Sequence, residues 1–366
     1  MKIHTLARVA ALVAASGCAG SPPSSEGDAA TLDAAIAADA AEAADAGAWT
    51  PTDASTVDAT APTSDAGASG FDAAAADADV LLPDAAEACP SFAVGVRTGF
   101  VAHFSVQEAS GVVNSRRNPD ILWVHNDSGG QAQLFALTRA GGALATYTVE
   151  GATAVDWEDI AVGPGPQRGE PYLYIADIGD NGISRASIAV YRVLEPSAPA
   201  TSTLLPPTIA LQGAEKFVLR YPDGAHNAET LLVDPLTGDL FIVEKAASGD
   251  SQIFRAAAPL SSATTITLES VGRLRFGSGA LAGNATTTGG DISPSGRAIA
   301  IRTYDRAFLW RRAPGESVAR AVAGEPCALP LASEGQGEAL GFASDELGYF
   351  TLSEGRAVPI SYYARR

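Results

Sequence analysis

After residue 105 the apolar positions fall into short runs that come in pairs, and the pairing recurs five times. A polar or acidic residue opens the first run of each pair, a turn follows, and a stronger second run ends in Asp, Asn or Glu. The openings read Glu108-Ala-Ser-Gly-Val-Val, Trp157-Glu158-Asp159-Ile160-Ala161-Val162, Glu229-Thr-Leu-Leu-Val-Asp, Asp291-Ile-Ser-Pro and Glu338-Ala-Leu-Gly-Phe. The second runs read Ile121 to Asp127, Tyr172 to Asp177, Leu240 to Glu244, Ala298 to Asp305 and Tyr349 to Glu354. Short strands repeating every ~40–50 residues are the mark of a β-propeller. Turn clusters such as Asn118-Pro119-Asp120, Asp234-Pro-Leu-Thr-Gly-Asp239 and Ser293-Pro-Ser-Gly296 separate the runs into hairpins.

The pattern therefore predicts an all-β fold, a single propeller of five four-stranded antiparallel blades. Six blades is the alternative, if the long second repeat hides one more. Residues after Gly335 supply about three strands, so the stretch from Phe92 to Phe104 is expected to complete the last blade and remove its open edge.

Composition divides the chain of 366 residues into three parts. Residues 1–18 read as a lipoprotein-type signal peptide, with Lys2 and Arg8 before a short apolar stretch and small residues. Ala15-Ser16-Gly17-Cys18 resembles a lipobox, which makes Cys18 the expected lipidation site and the outer membrane or cell surface the expected address. Cleavage without lipidation, giving a periplasmic or secreted soluble protein, is the alternative. Residues 19–88 hold Ala, Asp, Ser, Thr, Pro and Gly, no Lys or Arg, and a net charge of −14. So little apolar surface predicts a disordered, extended tether with at most transient helices. Residues 89–366 carry only −6 of the total of −18 and form the expected propeller domain. In an exported protein, Cys89 and Cys327 are expected to form a disulfide, two free buried thiols being the alternative.

Propeller geometry then gathers side chains. The innermost strand of a blade runs away from one face and the second strand returns to it, so residues opening the first and closing the second share a rim. The candidate metal ligands are Asp127, Glu158, Asp177, Asp180, Asn181, Glu229, Asp291 and Glu338, and the candidate acid/base residues are His125 and His226. Crowded carboxylates raise one another's pKa, and a cation of Ca²⁺ type, which takes six to eight oxygens, relieves them. The same acids can instead accept backbone N–H groups of neighbouring blades or pair with Arg302 and Lys245. Trp123 and Trp157 are expected in the core.

Trp123-Val-His-Asn-Asp-Ser-Gly129, Asp156-Trp-Glu-Asp-Ile-Ala161, Asp177-Ile-Gly-Asp-Asn181 and Asn227-Ala-Glu229 resemble exported bacterial propellers of the phytase-like and SdiA-regulated group. The resemblance spans about residues 105–360 and implies a propeller and calcium. It carries phosphoesterase chemistry only weakly, because propellers host many functions and this chain lacks a dense Lys/Arg cluster.

No Gly-x-Ser-x-Gly elbow, His-Glu-x-x-His helix or phosphate-cradling loop occurs, and no basic aromatic stripe points to nucleic acid. Two functions remain: a monomeric surface propeller that binds a small molecule, glycan or protein, and a metal-assisted hydrolase of a phosphoester, lactone or other ester.

Overall fold

The computed structural model describes residues 88–277 and 284–366. Cys18 and all but the last residue of the expected signal (1–18) and tether (19–88) lie outside the described residues. Strand β1 (Val96–Phe100) comes first. The first blade contains β2 (Ala109–Asn114), β3 (Ile121–Asn126), β4 (Gln133–Thr138) and β5 (Ala143–Val149). The second has β6 (Trp157–Pro164), β7 (Pro171–Asp177) and β8 (Ile188–Leu194); β9 (Thr208–Leu211) then crosses to the first blade before β10 (Glu215–Arg220) completes the second. The third comprises β11 (Ala228–Val233), β12 (Leu240–Glu244), β13 (Asp250–Ala256) and, after β14 (Ile266–Thr267), β15 (Glu269–Arg275). The fourth has β16 (Thr287–Ile292), β17 (Ala298–Thr303), β18 (Ala307–Arg311) and, after helix α1 (Val318–Val322), β19 (Cys327–Leu329). The last has β20 (Gly337–Phe342), β21 (Gly348–Ser353) and β22 (Pro359–Ala364).

The five sheets form a five-bladed β-propeller, with β2, β6, β11, β16 and β20 packed in turn around one axis. β1 pairs antiparallel with β22, so a strand from before the first blade closes the last one. The long second repeat hides no additional blade. Part of its excess is β9, which pairs parallel with β5 as an extra outer strand. Likewise β14 adds in parallel to β10. Both cover edges that would otherwise expose unpaired backbone groups.

Inner strands read as near-continuous apolar and small residues because both of their faces are covered, and every residue of β2, β11, β16 and β20 is buried. Trp123 and Trp157 lie in the core beneath the first two blades. Their indole N–H groups donate to Glu195 Oε1 at 2.9 Å and to the Thr153 carbonyl at 3.0 Å.

Each inner hairpin carries a register shift near its start: within Ala109–Val112, Trp157–Asp159, Ala228–Thr230, Thr287–Gly289 and Gly337–Ala339. A bulge of this kind re-aims a side chain. The residues inside the shifts are Ser110 and Gly111, then Glu158, Glu229, Thr288 and Glu338.

Cys89 and Cys327 are at disulfide distance, with Cα atoms 5.6 Å apart across a sequence separation of 238. The bond ties the entry of the domain to β19, beside the bridge between Phe92 and Arg365. Replacing Cys327 by Ser is expected to lower the stability of the oxidised protein by about 2–4 kcal/mol. Denaturant melts with and without reductant check this: reductant should destabilise only the parent chain.

Candidate functional site

The bulges place three glutamates from three blades at one end of the axis. Glu158, Glu229 and Glu338 are all buried. Burial is the first cause that raises each pKa: Glu158 well above its usual value, Glu229 to about 7 against the pull of Lys245, and Glu338 to about 9. Like charge comes second, since Glu229 raises both Glu158 and Glu338, and Asp127 and Asp156 raise Glu229. Asp127, just past β3, and Asp156, just before β6, join them. Oxygens of Asp127, Asp156 and Glu158 lie within 4.8 Å of one another. Asp156 rises to about 6, through burial and then Asp127.

Lys245 meets these acids directly, while Arg185 acts on Asp156 and Arg302 on Glu338 through space. Lys245 Nζ forms an ion pair with Glu229 and donates to Tyr304 Oη at 2.8 Å. Glu229 Oε2 is buried without a hydrogen-bond partner. Gly179 forms a wall of the cluster, where a Cβ would displace Glu158 Oε1 and Asp156 Oδ2 from the positions they hold. Exposed Val155 and Ile183 belong to the two loops that flank Asp156 and Gly179. Ile183 has φ 47°, an uncommon conformation for a β-branched residue, and its N–H donates to the Asp180 carbonyl at 2.9 Å.

The other expected ligands serve the frame. Asp177 pairs with Arg185 at 2.8 Å and accepts from the Asp156 N–H at 3.2 Å, fixing the approach to β6. Asp180 accepts the N–H groups of Ser184 and Arg185 at 2.8 and 2.7 Å and so shapes its own loop. Asn181 Oδ1 accepts from Asn227 at 3.1 Å, while Asn227 Oδ1 accepts the Asp180 N–H, joining the second and third blades.

Asp291 departs from its expected place at the rim. β16 begins at Thr287, so Asp291 is its fifth residue and the rim position belongs to Thr288. Asp291 accepts the Phe342 and Ile292 N–H groups at 2.8 Å each, linking two inner strands. Asp159 does the same on the axis, accepting from Leu231 at 2.9 Å and Gly290 at 3.3 Å. The two histidines also differ in setting. His125 is fully buried against Gly111 and the Trp157 ring, its Nδ1–H donates to the Asn126 carbonyl at 2.8 Å, and Nε2 has no partner. Burial depresses its pKa to about 4. His226 is held between Asp223 and Glu244, each 2.9 Å away. Burial alone would lower its pKa, but these two carboxylates outweigh it and raise the value.

Asp156 and Tyr304 were not among the sequence candidates. The Asp156-x-Glu158 spacing held the clue, since alternate positions of an extended segment face the same way. Tyr304 offers no such signal. The fold and site together define a five-bladed propeller with an acidic cup at one end of its axis. Comparison with protein-family models and with curated proteins yields no match.

Each raised carboxylate binds its proton more tightly in the folded protein than in the unfolded chain. The stabilisation is therefore complete below the unfolded pKa and is lost as pH rises through the folded values of about 6, 7 and 9. Without divalent cations the melting temperature should fall between pH 5 and pH 9. Glu338→Gln should remove part of that slope, matching the parent at pH 5 and melting higher at pH 9. Parallel pH profiles of the two proteins would show that Glu338 carries no charge strain.

Proposed function

We propose that this protein is an exported propeller, anchored through Cys18, that binds an oxygen-rich ligand or partner through a divalent cation held in its acidic cup. The observation carrying the reading is the convergence of Asp127, Asp156 and Glu158, whose oxygens lie within 4.8 Å of one another. Two oxygens opposed across a Ca²⁺ ion are about 4.6–5.2 Å apart, given ligand distances of 2.3–2.6 Å. Hard carboxylate donors without thiol or free imidazole suit Ca²⁺ above softer metals. The unpartnered Oε2 of Glu229 adds an acceptor that a cation or its water would satisfy. Three protein carboxylates leave coordination positions over, and those are where a sugar hydroxyl, a small molecule or a carboxylate of a protein partner would enter.

The metal-assisted hydrolase is the second reading: it asks for a side chain that moves a proton beside the metal, and Glu229, raised to about 7, would suit that task but is already paired with Lys245, while neither histidine serves. His125 is sealed in the core, and His226 is engaged by carboxylates on both ring nitrogens.

The test is calorimetry of the purified chain with Ca²⁺ and with EDTA. A cation that binds only the folded state adds about 2.7 kcal/mol at one hundred times its Kd, which is roughly a 5 °C rise in melting temperature. Asp156→Asn combined with Glu158→Gln should abolish the rise. Tethered to the same cup but outside the trio, Glu229→Gln should only weaken it. An unchanged melting temperature at millimolar Ca²⁺, Mg²⁺ and Mn²⁺ would overturn the reading.

A further inference from the structure

At the other end of the wheel, a cavity of about 630 Å³ opens between the fourth and fifth blades. Its location follows from strand direction. The β16–β17 turn, the end of β18 and the β20–β21 turn all line it, and all lie at the ends of strands leading away from the acidic cup.

The cavity has an apolar floor and a basic lip. Phe92, Ala298, Leu309 and Phe342 form the floor, and Phe92, Leu309 and Phe342 are at least nine-tenths buried. Arg297, Arg311, Arg312 and Arg365 line it, against two carboxylates, Glu316 and Glu346. Both carboxylates are engaged locally. Glu316 accepts the Ala313 N–H at 3.0 Å, and Glu346 accepts from Ser295 Oγ at 2.9 Å. Arg312 is a fixed wall, bidentate to Asp234 at 2.8 and 2.9 Å, with Nε donating to the Glu316 carbonyl at 2.6 Å. Arg297 and Arg365 are exposed, and among the described residues neither guanidinium has an ion-pair partner.

We infer that this cavity is a second binding site, for an organic anion that carries one carboxylate or phosphate head on an apolar body. The volume suits a small-molecule ligand, and such sites combine apolar walls with a few placed polar groups. Guanidinium groups match planar or tetrahedral oxyanions through paired N–H donors. Their grouping here stands out on a domain whose overall charge is −6. The inference stands apart from the cation reading of the cup, sharing none of its residues.

The probe is 8-anilinonaphthalene-1-sulfonate, an apolar anion whose fluorescence rises on binding, titrated into the intact chain at neutral pH. A saturable rise with one equivalent bound is expected. Arg297→Ala with Arg365→Ala should weaken binding at least about tenfold, the scale of losing charge-assisted hydrogen bonds, with the melting temperature unchanged. N-phenyl-1-naphthylamine, the same ring system without the sulfonate, should bind more weakly and ignore those substitutions. Octanoate should displace the probe better than octanol. Glu158→Gln and EDTA should leave the titration unchanged, which separates this site from the cup. Non-saturating fluorescence, equal binding to the double arginine variant, equal displacement by octanol, or loss of binding in Glu158→Gln would each overturn the inference.

Discussion

Five innermost strands share one narrow axis, and each presents an edge there that has no neighbouring strand. Buried N–H and C=O groups on those edges need partners, and no sheet can supply them. Side chains supply them instead. Asp159 accepts from the third and fourth blades, Asp291 from the fifth, and Asn114 Oδ1 accepts the Ser344 N–H at 2.8 Å. Ser110 donates to the Glu158 carbonyl at 2.6 Å, and Thr288 to the Gly337 carbonyl at 2.9 Å. The centre of the wheel is thus a polar seam between apolar clusters. Small residues such as Gly111, Gly290 and Gly341 occur on it because a Cβ there would meet the adjacent strand of its own blade or the next blade.

That seam explains why acids accumulate at one end. The repeated bulge turns one side chain per blade toward the axis, just where each strand begins. Where the residue is Ser110 or Thr288, it is consumed in backbone bonding. Where it is Glu158, Glu229 or Glu338, the side chain is longer and reaches the cup, where burial and like charge work against ionisation. Lys245 is paired with Glu229, whereas Asp127, Asp156 and Glu158 feel Lys245 and Arg185 only through space, Arg185 being paired with Asp177. The cup is therefore asymmetric: Glu229 has a cation in direct contact, and among the described residues the trio has no ion pair of its own.

The blade count, the closing strand and the disulfide were legible in the sequence because each rests on local spacing or on a simple count. The site was legible only in part. Acidic residues near strand starts have two different jobs in this fold, reaching the cup or bridging inner strands, and the repeat does not separate them. Glu158 and Asp159 are adjacent and do one each. Asp291 was grouped with the cup because it opens an apolar run, but its strand begins four residues earlier at Thr287-Thr-Gly-Gly, a stretch with no apolar signal. The arginine-lined cavity had no sequence signature, since Arg297, Arg312 and Arg365 meet only when blades four and five pack together.

Closure and the cup are linked through this same architecture. The cup's acids come from the loop after β3, from β6 and its approach, from β11 and from β20, and β20 belongs to the blade completed by β1. An ion shared by Asp127, Asp156 and Glu158 would join the first and second blades and relieve the charge felt by Glu229 and Glu338 in the third and fifth. Those blades otherwise meet mainly through apolar packing and the backbone-to-side-chain bonds of the axis. Neutralising the cup and tightening the wheel would then be one process, which is the reason melting temperature is the readout chosen for the proposed cation.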